Sequence, residues 1–108
     1  MTPVALGAVG YLNARPLVAG LDASPRFALR FDVPSRCAEL LHEGAIDVGL
    51  IPSIEYHHVS AGDAGGDYRI VPDLVIASRG PVASVMLYTR REIADVRSIA
   101  MDTSSWRR

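Results

Sequence analysis

Apolar positions fall into short runs whose spacing changes along the chain. Val4 to Val9 is an apolar run with small residues through it, the pattern of a buried strand. It breaks at Gly10, and Asn13 to Leu21 reads as a short helix with Pro16 in its first turn, where a missing N–H matters little. Asp22-Ala23-Ser24-Pro25 makes a turn. Phe27, Leu29 and Phe31 then alternate with Ala28, Arg30 and Asp32, which predicts a half-buried strand over 27–32. A second helix starts near Val33-Pro34-Ser35. It carries Cys37, Leu40 and Leu41 on one face, turns Glu39 and Glu43 outward, and stops at Gly44.

Asp47 to Ile51 is a third strand, closed by Pro52, and Ser53 to Val59 a brief helix. Strand, helix, strand, helix, strand in this order predicts parallel units with right-handed crossovers. Residues 61–67 form a polar, glycine-rich loop. Arg69 to Ser78 and Val82 to Thr89 read as two more strands separated by Gly80-Pro81. Glu92 to Val96 comes next as a helical turn or loop, and Ser98 to Met101 as a last short strand. The expected architecture is α/β, with strands 4–9, 27–32, 47–51, 70–77 and 82–89 in one mainly parallel sheet.

Length and composition narrow the class. A chain of 108 residues has room for one small domain, and 49% apolar with 21% charged residues describes a globular chain, not a disordered one. The net charge of -1 offers no footprint for nucleic acid or an anionic membrane. No apolar run is long enough to span a bilayer, and the N-terminus lacks a signal-peptide pattern. With its single Cys37 the chain cannot form an internal disulfide, which suits a reducing cytosol, so the expected location is cytoplasmic.

Candidate chemistry is sparse. Asn13 stands past the end of a buried strand and beside a helix start, where open α/β sheets place their ligands; an N-cap is the other reading of an Asn there. Ser53 and Pro52 succeed the third strand and so border the same edge. Ser84 begins an apolar strand, where a hydroxyl must bond a neighbouring strand or face a cavity. Ser78 sits beside a turn that it can cap. Glu55 with His57 and His58 hints at a metal, but adjacent helical histidines diverge and no further ligand has a suitable spacing. Cys37 reads as core packing and Asp47 as a local cap or pair. Nucleophile-elbow, phosphate-loop and dinucleotide motifs are all missing.

Tyr11-Leu12-Asn13-Ala14-Arg15-Pro16-Leu17 resembles the opening motif of the MqnA family, the chorismate dehydratases of the futalosine route to menaquinone. Gly44 to Tyr56 and Ser78 to Val85 resemble two later segments of that family, in the same order. The likeness runs from about Val4 to Ser105. It implies a periplasmic-binding-protein-like (type II) two-lobed clamp, with residues 1–96 as lobe one, lacking its return segment, and 97–108 as the start of lobe two. The sister dihydroxynaphthoate synthases share the fold but open on a different motif. A carboxylate-binding protein of the same clamp fold is a further alternative, which a signal peptide would favour.

The resemblance also implies a substrate and a set of roles. Chorismate carries two carboxylates, a ring hydroxyl and an enolpyruvyl ether, and loses water to give 3-[(1-carboxyvinyl)oxy]benzoate. Aromatisation supplies much of the driving force, so the reaction calls for positioning and proton transfer without cofactor or metal. Asn13 is not a base near neutral pH, so its role is to orient substrate or stabilise the leaving group. Ser84 contacts the substrate on this reading, its amide partner Asn13 opening onto the same cavity, and Thr103, Ser104 and Ser105 meet it from lobe two. Trp106-Arg107-Arg108 departs from the family pattern, and the isolated chain is expected to be inactive.

Overall fold

The computed structural model describes residues 2–60, 68–83 and 86–102. Three parallel strands lie in the order β2-β1-β3: β1 spans Val4–Ala8, β2 spans Phe27–Phe31 and β3 spans Val48–Gly49. β1 is the centre, with Leu6 opposite Leu29 on one side and Val48 on the other. The ladder reaches past β3 in both directions, because the Asp47 N–H donates to the Ala5 carbonyl at 2.8 Å and the Leu50 N–H to the Gly7 carbonyl at 2.9 Å. The Asp47 carboxylate in turn accepts from the Ala5 N–H at 2.8 Å. The local cap or pair expected of that aspartate is thus replaced by a bond to a residue 42 positions earlier, which pins the start of β3 against β1.

Two helices link the strands. Leu12–Ala14 is a 3-10 turn leading into α1, Arg15–Val18, and α2 spans Pro34–His42. Strand alternation sends Leu6 and Ala8 to one face of β1, where Val18 packs, while Gly7 and Val9 face Cys37 of α2 on the other. With β1 between its two successors, right-handed crossovers demand this arrangement of one helix on each face. Gly7 is there because nothing larger fits. A Cβ at that position would meet Ile46 Cδ1 at 2.6 Å and Cys37 Sγ at 3.5 Å.

The helix signals behave as their chemistry directs. Pro34 opens α2, where it needs no N–H partner, and Gly44 ends it with φ of +74°. Beyond that residue the Ala45 N–H returns to the Leu40 carbonyl at 2.8 Å. Cys37 and Leu40 are buried, and Leu41 is half-buried beside them. Glu39 differs from expectation in part. It is half-buried, because the Arg36 guanidinium reaches it at 2.8 Å and draws it along the helix, with Glu43 3.9 Å from the same guanidinium. The first helix is shorter than the predicted 13–21, since its opening turn is 3-10 and Gly20, at φ of +80°, ends it early.

After β3, Ser53–Ser60 forms α3 as predicted, and Ile93–Asp95 a 3-10 turn where a helical turn was expected. The predicted strands over 70–77, 82–89 and 98–101 are not strands in their described residues. Pro72 and Asp73 make a turn inside the first run, with Asp73 at φ of 63°. The other described residues of these runs belong to no strand, and apolar side chains among them are open to solvent, Ile70 at 66%, Val75 at 75% and Tyr88 at 84%. An apolar run becomes a strand only when a neighbour takes its backbone groups. Among the described residues the sheet therefore stops at β3.

Candidate functional site

Asn13 projects from the 3-10 turn that succeeds β1. That turn is held by backbone and packing: the Ala14 N–H donates to the Tyr11 carbonyl at 3.0 Å, and Ala14 is fully buried with Val9 and Cys37. Burying Ala14 forces its neighbours outward, so Tyr11, Leu12 and Asn13 are all exposed. The amide caps nothing. Tyr11 is the N-cap of the turn and Ala14 that of α1, neither with a side-chain cap bond. The N-cap reading of Asn13 fails because the chain enters the helix through a backbone-closed turn.

Ser53 begins α3, where the Glu55 N–H bonds the Pro52 carbonyl at 3.0 Å, and it is exposed. Asn13 and Ser53 lie just past the carboxyl ends of β1 and β3, which are neighbours running the same way, so the two share one edge of the sheet. The connections from β1 leave toward β2, on the far side from β3. Asn13 and Ser53 thus flank the point where strand order reverses, the position at which such sheets take ligands. Ser84, Thr103, Ser104 and Ser105 lie outside the described residues. The shared cavity expected for Asn13 and Ser84 is therefore not among the geometry described.

The remaining candidates resolve simply. The Ser78 hydroxyl donates to the Gly80 carbonyl at 2.8 Å, the turn-capping role its position suggested. Cys37 is fully buried, its thiol directed at the Ala8 carbonyl at 3.6 Å. Burial pushes that thiol's pKa up, Asp32 adds to the rise, and Arg30 opposes it. A protonated, enclosed thiol is no nucleophile. Among the described residues no three His, Cys, Asp or Glu side chains gather to hold a metal. No helix there is long and apolar enough to cross a membrane.

One feature escaped the sequence. Beside the same edge, between α1 and β2, lies a cavity of about 470 Å³. Its lining includes Gly10, Val18, Leu29 and Phe31 together with the charged Arg15 and Asp22. Neither charge is in an ion pair with a described residue. The only advance signal was an arginine in the turn after Asn13, which an exposed helix start explains equally well. Arg15 lines this cavity; Asn13 and Ser53 do not.

A family model described as menaquinone biosynthesis matches residues 4–106. No curated protein and no solved structure matches the chain.

Proposed function

The chain belongs to the menaquinone biosynthesis family, as its likeness to MqnA implied, and on that premise we propose that it is a chorismate dehydratase of the futalosine route. The observation that carries the reading is Asn13, an exposed amide with no capping duty, held over the carboxyl edge of the central strand by the buried Ala14. In the elimination, a ring C–H proton and the ring hydroxyl leave together as water. The C–H electron pair becomes the new ring double bond. Asn13 donates its N–H to the departing hydroxyl and neither takes nor gives the proton, since an amide does not titrate near neutrality. A preorganised donor of this kind acts where charge develops.

Ser53, on the adjacent strand end, holds the substrate from the β3 side. The resemblance adds Ser84 to that wall and Thr103, Ser104 and Ser105 to the opposing one, in a two-lobed clamp of the type II periplasmic-binding-protein kind. Lobe one takes residues 1–96, and lobe two begins at 97. A cytoplasmic location goes with this reading.

The experiment grafts residues 4–106 in place of the matching segment of an active chorismate dehydratase. Chorismate loss and 3-[(1-carboxyvinyl)oxy]benzoate formation are then measured. The graft should turn over, and Asn13→Ala in it should lower kcat by about 10²-fold, the range for removing one donor from a developing charge. A folded graft that leaves chorismate intact would overturn the assignment.

A further inference from the structure

We infer that the outer edge of β2 is a homodimer interface, at which a second copy of the chain lays its own β2 antiparallel and joins the two sheets into one. β2 stands at one end of the strand order and is bonded to β1 alone among the described strands. β1 takes the backbone groups of the even-numbered residues of β2 and its flanks. The Val4 N–H donates to the Arg26 carbonyl and the Asp32 N–H to the Ala8 carbonyl, each at 2.9 Å. Successive residues turn these groups to opposite sides of a strand, so Leu29 and Phe31 send theirs outward. Neither N–H has a hydrogen-bond partner among the described residues. The edge is also apolar. Phe27 and Leu29 are half-buried against the Leu6, Ala8 and Val18 cluster, and Phe31, on the same face, is 55% exposed. Free donors beside uncovered apolar side chains make an edge a template for another strand.

The residues of the strand select the occupant. Arg26-Phe27-Ala28-Leu29-Arg30-Phe31-Asp32 is close to complementary to its own reverse. A two-fold axis through Leu29 sets the two Leu29 side chains together, Phe27 against Phe31 of the second copy, and Arg26 against Asp32 of the second copy. The odd-numbered pairs then fall on hydrogen-bonded positions, so the Leu29 residues exchange N–H and carbonyl and each Phe31 N–H meets a Phe27 carbonyl. The Phe27 N–H keeps its turn bond to the Ser24 carbonyl at 3.2 Å. Arg26 is exposed and in no ion pair with a described residue, which leaves it open to the opposing carboxylate. Arg30, the charge that could oppose self-pairing, falls against Ala28. Centring the pair on Arg30 would instead set two guanidiniums face to face, and like charges directly opposite repel. The dimer leaves the β1–β3 edge with Asn13 and Ser53 open, so the inference does not depend on the dehydratase reading.

The test follows the full chain by sedimentation as its concentration rises, with amide exchange recorded at both ends of the series. The mass should climb from one chain to two and stop there. Exchange at Leu29 and Phe31 should slow about tenfold in the dimer, and that at Ala28 and Arg30, already turned toward β1, should slow less. Arg26→Asp sets two acids together at each end of the interface and should weaken the dimer about tenfold. Asp32→Arg should do the same with two arginines. Mixed, these two variants regain both opposite-charge pairs and should form a heterodimer about as tight as the parent dimer. A chain that stays monomeric, a mass that passes two chains, or folded variants that fail to recover on mixing would overturn the interface. So would a dimer whose Leu29 and Phe31 exchange as before, since association would then run through another surface, such as the exposed apolar side chains of 68–102. Protection of both amides in the dilute monomer would also overturn it, by showing the edge already filled within one chain. The exchange measurement needs no variant, so a poorly folding Asp32→Arg does not blunt it.

Discussion

At the scale of single residues, the packing around Gly7 sets the tightest limit. A methyl there would sit 2.6 Å from Ile46 Cδ1, and Ile46 is buried, so either the isoleucine or the strand must shift. Gly7→Ala should destabilise by about 1–3 kcal/mol, the usual range for overpacking. Ile46→Val removes the offending carbon, so the pair together should cost less than the sum of the two, read from denaturant melts. Cys37 gives a second prediction. Its thiol titrates higher in the folded chain than in the unfolded one, so between those two values the unfolded state is the one that has lost its proton. Stability should therefore fall as pH rises upward from the ordinary thiol value of 9.0, and Cys37→Ser or Cys37→Ala should flatten that slope. Much at this scale was readable in advance: Gly44 as a helix stop, Cys37 as core and Ser78 as a turn cap all come from local chemistry. The Asn13 cap did not hold, because whether a turn is closed by side chain or backbone depends on what is buried next to it, here Ala14.

Among the elements, β1, β2 and α2 were legible because each carries its own signal. Alternation marks β2, proline and glycine bracket α2, and an unbroken apolar run marks the strand buried on both faces. The segments 70–77, 82–89 and 98–101 show the limit of such signals. They have strand-like composition, yet strand formation is a property of a pair, and no described neighbour accepts them. β3 is the intermediate case, a two-residue strand whose register depends on the Asp47 carboxylate bonded to the Ala5 N–H. Asp47→Ala should cost about 1.5–3 kcal/mol, the range for a hydrogen bond to a charged group. It should also raise the amide exchange of Ala5 and Leu50 more than that of Phe31. Equal rises throughout would show a global loss of stability and no special role in pinning β3.

Over the whole molecule, the Cα radius of gyration is 16.6 Å, against about 13 Å for a compact chain of this length. The long dimension of 58 Å comes with two unlike halves: a core built by residues 4–50, and a stretch over 68–102 whose described side chains lie almost wholly in solvent. Limited proteolysis should cut first within 68–102 and leave a fragment containing β1 to β3, identified by its mass. Protection of both halves at similar rates would contradict this division. Asn13 and Arg15 lie within the core stretch, and Ser53 just after it. The fold class was predicted there and not the extent of the sheet.

The central place of β1 has a consequence for how the chain is made. Val4–Ala8 leaves the ribosome before the other two strands, and β2 emerges close behind to bond one side of it. The contact that completes the other side, between Ala5 and Asp47, spans 42 residues. During that interval the earliest strand has an open edge facing solvent while the ribosome adds the second helix and the turn behind it. Slow translation through residues 32–47 would lengthen the exposure, and a holdase that covers a bare strand edge would shorten it. The strand with the most bonds in the finished sheet is therefore one that waits with an open edge during synthesis.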